Sequence, residues 1–387
     1  KIEPVVGSPG PNSKIRREVY GDEALLHSSN MLLSHPISRG KIKDWEGLEK
    51  LAKYAFESEA RALVQENPVI VCMPYDAPRE DWEKMTKMMF EKFSVPFLHL
   101  VDPAVAALCY AQSGGNDFRI TGCAVHADLV THAVPVVDGR AVKGAISSLD
   151  FGMQELTVCL KELLMESKTQ GKSGLETLKE SLKSAAAADS TVPFGMERKD
   201  FLRDESLKVL GRSIRRELMF SKTSSDFEKD CTHYSAEQVQ EIELTSTSKV
   251  QVGKERVIVP EVIYRPEISK TSNGSLIDIC HNAIKSCEKK THKALLSNVT
   301  MFGSVGNVKH ADKRLQDELA RKIDDKDTKV RVMQSNIGMD DAFYGAMLLR
   351  QKLKKNGDSE ESWIGMDEYE ESGAVDMAGK CWSMYYM

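Results

Sequence analysis

Three polar residues that could take part in chemistry, His126, Asp128 and His132, lie close together where two β-forming segments meet. Cys123–Val125 and Val130–Val137 are rich in β-branched and small apolar residues, which predicts two neighbouring strands around a polar break at 126–128. A turn between strands can hold phosphate oxygens when its glycines let backbone N–H groups approach them. A phosphate-binding turn is therefore the first chemistry to consider in this chain.

The same segment is similar to the second phosphate loop of the actin family. That pattern is a strand, Asp-Ser-Gly-Asp-Gly, then Val-Thr-His-x-Val-Pro, and this chain keeps the second strand at 130–135 and a turn at Asp138–Gly139. The loop differs, because Val-His-Ala-Asp-Leu stands at 125–129. We expect the side chains of Ala127 and Leu129 to lie where phosphates would sit, and valine replaces the family's Asp that orders metal-bound water and the nucleophile. The resemblance thus implies a nucleotide site that has been abandoned or remodelled.

Further motifs that resemble the actin family occur in the family's order. They are Tyr20–Ala24 (YGDEA), His35–Gly40 (HPISRG), Val259–Glu267 (VPEVIYRPE), Asn298–Asn307 (NVTMFGSVGN) and Trp363–Gly373 (WIGMDEYEESG). The resemblance covers nearly the whole chain apart from about 166–200 and 229–250. It implies the α/β fold class, a duplicated ribonuclease-H-like actin fold in which two lobes enclose a central cleft and each carries a smaller outer subdomain.

The resemblance also implies domain boundaries. Hinges between the lobes are expected near 102–114 and 338–345. Residues 166–200, rich in Lys, Ser and Ala, indicate a divergent helix or a surface insertion, with partner contact as the alternative. The expected parts are a subdomain 1-like large outer lobe (36–113 and 343–387), a subdomain 2-like small outer subdomain (1–35), a subdomain 3-like inner lobe (114–165 and 270–342) and a divergent subdomain 4-like inner small subdomain (166–269).

Other nucleotide contacts of the family are altered here. In the segment that resembles the third nucleotide loop, Gly303 is kept and the second glycine has become Ser304. Arg215 and Arg216 replace the Lys-Glu pair that holds the adenosine, which removes a ribose hydrogen-bond acceptor, although a solvated basic helix face explains these arginines equally well. We expect no catalytic residue and no metal ligand. The vestigial nucleotide-binding residues are expected to be Asp128, His132, Gly303, Ser304 and Arg215.

Upstream of the hairpin, the sequence predicts a βαβ unit. The strands are expected at 68–73 and Phe97–Val101, around an amphipathic helix whose Met and aromatic stripe indicates core packing rather than a cofactor site. Asp102 and Pro103 then begin a helix, at the place where the family has a Gln that positions the attacking water. Asp102 could act as a base only beside a bound phosphate, so a helix cap is the favoured role.

Composition excludes several classes of function. Asp+Glu (58) exceed Lys+Arg (53) and the formal net charge is −5, which argues against direct nucleic-acid binding through bulk charge. No apolar run approaches the roughly 20 residues of a membrane span, and no leader that would indicate secretion is expected. The eight cysteines suit reduced, buried thiols. Cys280, His281, Cys287 and His292 have irregular spacing, which favours core cysteines and surface histidines over a metal site.

Two classes of function remain open. The favoured one is a non-catalytic structural subunit, without a nucleotide cofactor, held with other actin-related or scaffold proteins in a cytoskeletal or motor-associated assembly of the cytoplasm or cilium. The short spacing of Gly7 and Gly21 and the polar ISKTSNGS after Glu267 replace two filament contacts of the family, so homofilaments are not expected. The alternative is an ATP-binding switch or slow ATPase that uses ATP with magnesium, including in a nuclear chromatin-remodelling complex.

The chain continues past the last family motif. Its final residues include Trp382, Met384, Tyr385 and Tyr386. Large apolar side chains on an exposed tail would be costly in water, so a docking role is expected for this tail.

Overall fold

The computed structural model of the protein describes most of the chain. The described residues are 5–9, 15, 17–26, 31–112, 120–166, 175–176, 179–180, 197, 207, 210–211, 217–232, 239–245, 248–269, 274–323, 328–334, 341–355 and 363–386. Two compact units are present: unit 1 is Lys1–Ala62, Gln154–Leu218 and Asp230–Val259, and unit 2 is Leu63–Met153, Met219–Lys229 and Pro260–Met387. The division into four parts, derived from the family resemblance, stays a prediction.

Strands and helices are mixed along the described chain. The strands are β1 (Val6–Pro9), β2 (Val19–Tyr20), β3 (Met31–Ser34), β4 (Ile37–Ser38), β5 (Lys41–Ile42), β6 (Val69–Cys72), β7 (Phe97–Val101), β8 (Gly122–Ala127), β9 (Thr131–Val137), β10 (Arg140–Ala141), β11 (Ser147–Leu149), β12 (Gln240–Thr245), β13 (Ser248–Val252), β14 (Val299–Phe302), β15 (Val332–Gln334) and β16 (Ile364–Gly365). The helices are α1 (Gly21–Leu26), α2 (Trp45–Tyr54), α3 (Arg79–Lys87), α4 (Pro103–Ala111), α5 (Met153–Glu166), α6 (Ser224–Thr232), α7 (Glu255–Glu261), α8 (Leu276–Lys285), α9 (His292–Ser297), α10 (Gly303–Gly306), α11 (Ala311–Lys322), α12 (Asp341–Lys355) and α13 (Met366–Tyr385).

Unit 1 contains a three-stranded antiparallel sheet of order β2-β1-β3, whose core includes buried Val19 and Met31. Asp44 caps the N-terminus of α2, since the backbone N–H of Gly47 donates to Asp44 Oδ1 over 3.0 Å. A second hairpin, β12–β13, belongs to the same unit. Helix α5 belongs to unit 1 from Gln154 onward.

The first sheet of unit 2 contains the predicted βαβ unit. Strands β6 and β7 are parallel, β16 adds to β7 in the antiparallel sense, and α3 connects β6 to β7. Trp82, Met85, Met88 and Phe93 are buried on the connecting helix and its continuation. Their stripe therefore packs in the core, as the sequence indicates.

The second sheet of unit 2 carries the hairpin with the candidate site. Its strand order is β10-β9-β8-β14-β15, and β11 also pairs with β9. Strands β8 and β9 are antiparallel, whereas β14 runs parallel to both β8 and β15. The predicted turn at Asp138–Gly139 is confirmed, with positive φ at both residues. Strand β15, at the edge of this order, has three residues.

Close packing fixes the helices of unit 2. Helices α4 and α12 touch at Gly345, where an added Cβ would lie 1.8 Å from the carbonyl oxygen of Ala106. On α11, the fully buried Arg314 forms an ion pair with the fully buried Glu261 and a second one with Glu318 at 2.5 Å. Each of these groups is held by a partner that is distant in sequence or one helical turn away.

The C-terminal residues do not form an exposed tail. Tyr385 and Tyr386 are 2% and 6% exposed, because they pack against other parts of unit 2. The apolar side chains are thus docked on their own chain. No helix among the described residues combines the length and the apolar character needed to cross a membrane.

Candidate functional site

The turn of the β8–β9 hairpin lies later in the chain than the sequence indicates. His126 pairs with His132 and Ala127 pairs with Thr131, so the turn consists of residues 128–130 rather than 126–128. The polar character of His126 predicts a break, but its ring is accommodated by aromatic neighbours and the strand continues. Ala127 is therefore a fully buried strand residue and not a turn residue. Leu129 does lie in the turn, with 45% of its side chain exposed.

Asp128 is held at both its side chain and its backbone. The hydroxyl of Ser304 donates to Asp128 Oδ1, which joins the β8–β9 turn to the turn after β14. The N–H of Met153 donates to the carbonyl oxygen of Asp128 over 2.7 Å. A Cβ at Gly152 would lie 1.8 Å from that same oxygen, so glycine is required for this approach. The carboxylate is thus hydrogen-bonded within the protein.

Gly303 brings the second turn against the first. Its φ of +89° is in the region that favours glycine, and a Cβ there would lie 2.5 Å from the carbonyl oxygen of Ala127. The side chain of Gln334 donates to the carbonyl oxygens of Gly306 and Val308 over 2.7 and 3.0 Å, which fixes the turn from the other side. Two rigid turns therefore lie in direct contact, with Asp128 and Ser304 between them.

An aromatic stack covers the hairpin beside this contact. The ring of Tyr75 lies between His126 and His132, with centroid distances of 4.9 and 5.1 Å and interplanar angles of 25° and 23°. Phe302 contacts His126 from β14 at 5.1 Å. His132 Nδ1 is hydrogen-bonded to Ser148 Oγ over 2.8 Å. The two paired histidines thus hold a tyrosine from the β6–α3 connection.

Burial disfavours the charged forms of His126 and Tyr75. Desolvation lowers the pKa of His126 to about 4, and the nearby charge of Asp128 opposes that shift only in part. Burial also raises the pKa of the Tyr75 phenol well above its usual value. At neutral pH the surface of the hairpin is therefore uncharged at His126 and Tyr75, and the adjacent carboxylate is bonded to Ser304.

Asp102 is confirmed as a helix cap. Its Oδ1 accepts from the N–H groups of Ala104 and Val105 over 2.8 and 3.2 Å, and its Oδ2 accepts from the hydroxyl of Tyr386 over 2.8 Å. Burial raises the pKa of this carboxyl, and the hydrogen bond from Tyr386 opposes the rise. Both oxygens of the group have hydrogen-bond donors of the protein itself.

The structure brings together three of the five predicted site residues. Asp128, Gly303 and Ser304 meet at the two turns, and His132 lies in the neighbouring stack. Arg215 lies outside the described residues. Among the residues weighed as metal ligands, Cys280 is buried in α8, and His292 Nε2 is hydrogen-bonded to the carbonyl oxygen of Cys287 over 3.0 Å.

Sequence reasoning missed three residues that shape the site. They are Tyr75, Gly152 and Tyr386. The two histidines six positions apart on facing strands were a signal that both point to one face of the hairpin, once the register is known. Nothing local in the sequence identifies Tyr75 as the ring between them.

These features describe a mixed α/β protein in which an antiparallel hairpin joins a parallel strand, with two turns in contact at the strand ends. A model of the actin family matches residues 2–382 of the 387. The chain belongs to the actin family. The fold class expected from the sequence, an α/β actin fold, is thereby confirmed.

Proposed function

We propose that this actin-family protein is a non-catalytic structural subunit that does not use ATP. The observation that carries the proposal is the hydrogen bond from Ser304 to Asp128. It joins the two turns that would both have to face a phosphate. The groups offered to a ligand are thus already bonded to each other.

The cost of opening this contact can be bounded. A hydrogen bond to a charged group contributes about 1.5–3 kcal/mol. A ligand that has to separate Ser304 from Asp128 would therefore bind with an affinity about ten- to a hundredfold lower. A phosphate that stays outside the contact meets the carboxylate of Asp128, which repels it, and the side chain of Leu129 in a turn that lacks glycine. Both routes disfavour nucleotide.

The partners that fit this proposal are other actin-related or scaffold proteins in a cytoskeletal or motor-associated assembly of the cytoplasm or cilium. The polar replacement after Glu267 and the short spacing of Gly7 and Gly21 support assembly with unlike subunits rather than homofilaments. The second candidate is an ATP-binding switch or slow ATPase that uses magnesium, in the cytoplasm or in a nuclear chromatin-remodelling complex. The positive φ of Gly303 and the presence of Asp128 and His132 favour that candidate.

Ligand-dependent stability tests the proposal. We expect ATP with magnesium, at up to 1 mM, to leave the melting temperature of the wild-type protein unchanged, because the nucleotide does not bind. A ligand that binds only the folded state would, at a hundred times its Kd, add about 2.7 kcal/mol to the free energy of unfolding. A variant with Leu129→Gly and Ser304→Gly frees the carboxylate and restores glycines to both turns. Saturable stabilisation of that variant alone would support the proposal.

Two outcomes would contradict it. Saturable, magnesium-dependent stabilisation of the wild-type protein would show that the two turns do accept nucleotide. Sedimentable filaments of the purified protein alone would show that it assembles with itself. Recovery from the source cell in a fixed ratio with other actin-related or scaffold subunits is the expected result for a structural subunit.

A further inference from the structure

The last residues of the chain, Trp382–Tyr386, contact three separate parts of unit 2; we name this segment the C-terminal brace. Its first set of contacts is with the sheet that contains β7. The hydroxyl of Tyr385 is hydrogen-bonded to His99 Nε2 over 2.6 Å, and both residues are buried. Trp382 packs edge-on against the fully buried Trp82 of α3 at 5.6 Å. The brace is thus anchored to the first sheet of the unit.

The second set of contacts is with the sheet that contains β8 and β9. Tyr386 forms a parallel β-bridge with Ala141 of β10. The ammonium group of Lys143 lies 3.9 Å from the ring centroid of Trp382 and 5.0 Å from that of Tyr386. Lys143 also donates to the carbonyl oxygen of Ala77 over 3.0 Å, back on the side of the first sheet. The same five residues therefore touch both sheets.

The third contact is with the N-terminus of α4, the helix that packs against β8, β9 and β14. The hydroxyl of Tyr386 donates to Asp102 Oδ2, whereas the cap of the helix uses Asp102 Oδ1. Asp102 is fully buried. Without Tyr386, half of a buried carboxylate would lose its donor, and a buried acceptor without a donor is costly. The capping group of α4 thus depends on a residue at the opposite end of the chain.

We propose that the C-terminal brace fixes the two sheets of unit 2 against one another, and that the hydrogen bond from Tyr386 to Asp102 is its locking contact. The inference does not depend on whether the protein binds nucleotide. It assigns a positioning role to Tyr385 and Tyr386, which lie beyond the end of the actin-family match at 382.

Hydrogen exchange of the full chain, followed by mass spectrometry, tests the proposal. Tyr386→Phe removes the locking hydroxyl and keeps the ring, and we expect amide exchange about tenfold faster at the start of α4 and at β10. Lys143→Met removes the cation from the two rings and should speed exchange at β10 more than at α4. The matched control is Tyr369→Phe, whose hydroxyl is bonded to Glu91 over 3.0 Å, and it should leave both segments unchanged.

The pattern of exchange decides the result. Faster exchange confined to α4 and β10 in Tyr386→Phe supports a brace. Wild-type exchange at both segments would overturn it, since the hydroxyl would then contribute nothing to their positions. Equal acceleration in α11, which takes part in none of the three sets of brace contacts, would also overturn it by showing a general loss of stability.

Discussion

Acid should weaken this fold through one half-buried histidine, His126. His126 lies in β8 between the rings of Tyr75 and Phe302, and its Nδ1 has no hydrogen-bond partner among the described residues. Protonation would place a positive charge in this aromatic environment, with the bonded carboxylate of Asp128 as the nearby counter-charge. The substitution that tests this is His126→Phe, which keeps an aromatic ring and removes the titrating nitrogens.

The size and direction of the effect follow from the pKa of His126, which burial lowers from 6.5 to about 4. In the unfolded chain the histidine takes up a proton near pH 6.5, while the folded protein resists it until about pH 4. The contribution of His126 to the free energy of unfolding is therefore complete above about pH 6.5 and is lost as the pH falls towards 4. A difference of this size corresponds to about 3 kcal/mol of unfolding free energy.

Urea unfolding of the wild-type protein and of His126→Phe, at several pH values from 7.5 to 4.5, measures this contribution. The two proteins should differ little at pH 7.5, where the variant is as stable as the wild type or more so, because the unpartnered nitrogen is gone. Below pH 6.5 the wild type should lose about 2–3 kcal/mol more than the variant. Parallel pH profiles for the two proteins would refute the reasoning.

Two further substitutions test the packing of unit 2. Gly345→Ala should prevent the close approach of α4 and α12, because its Cβ would lie 1.8 Å from the carbonyl oxygen of Ala106, whereas Gly144→Ala meets nothing within 4 Å and should change the melting temperature little. Arg314→Met should cost about 3–5 kcal/mol by leaving the buried Glu261 with only its longer ion pair, 3.6 Å, to Arg265, and adding Glu261→Gln should recover part of it. Equal melting temperatures for the two glycine variants, or no recovery in the double variant, would contradict these expectations.

Local chemistry made much of the fold predictable. Asp44 and Asp102 stand directly before apolar helical segments, and both are N-caps. The segments around the connecting helix α3 are short runs of apolar residues, interrupted only by His99, so β6 and β7 are found where the sequence places them. Each of these signals is complete within a few residues, which is why a single sequence is enough to identify it.

The contacts that define the candidate site could not be predicted in this way. Ser304 and Asp128 are 176 positions apart, and Tyr386 and Asp102 are 284 apart. The sequence around a polar residue also does not show which side chains will surround it in the folded protein. His126 indicates a turn when it is considered alone, yet a tyrosine ring from another connection allows it to remain in the strand.

The same feature recurs at three of the groups that could have served a ligand. Asp128 accepts from Ser304, Asp102 accepts from Tyr386, and His132 is bonded to the hydroxyl of Ser148. A ligand binds at one of these groups only if its own interactions contribute more free energy than the hydrogen bond it replaces. For each carboxylate that bond contributes about 1.5–3 kcal/mol. Freeing both Asp128 and Asp102 for a ligand would therefore cost more free energy than freeing one of them. The bond from Tyr386 to Asp102, which joins residues 284 positions apart, would exclude a ligand and is also the locking contact proposed for the two sheets of unit 2.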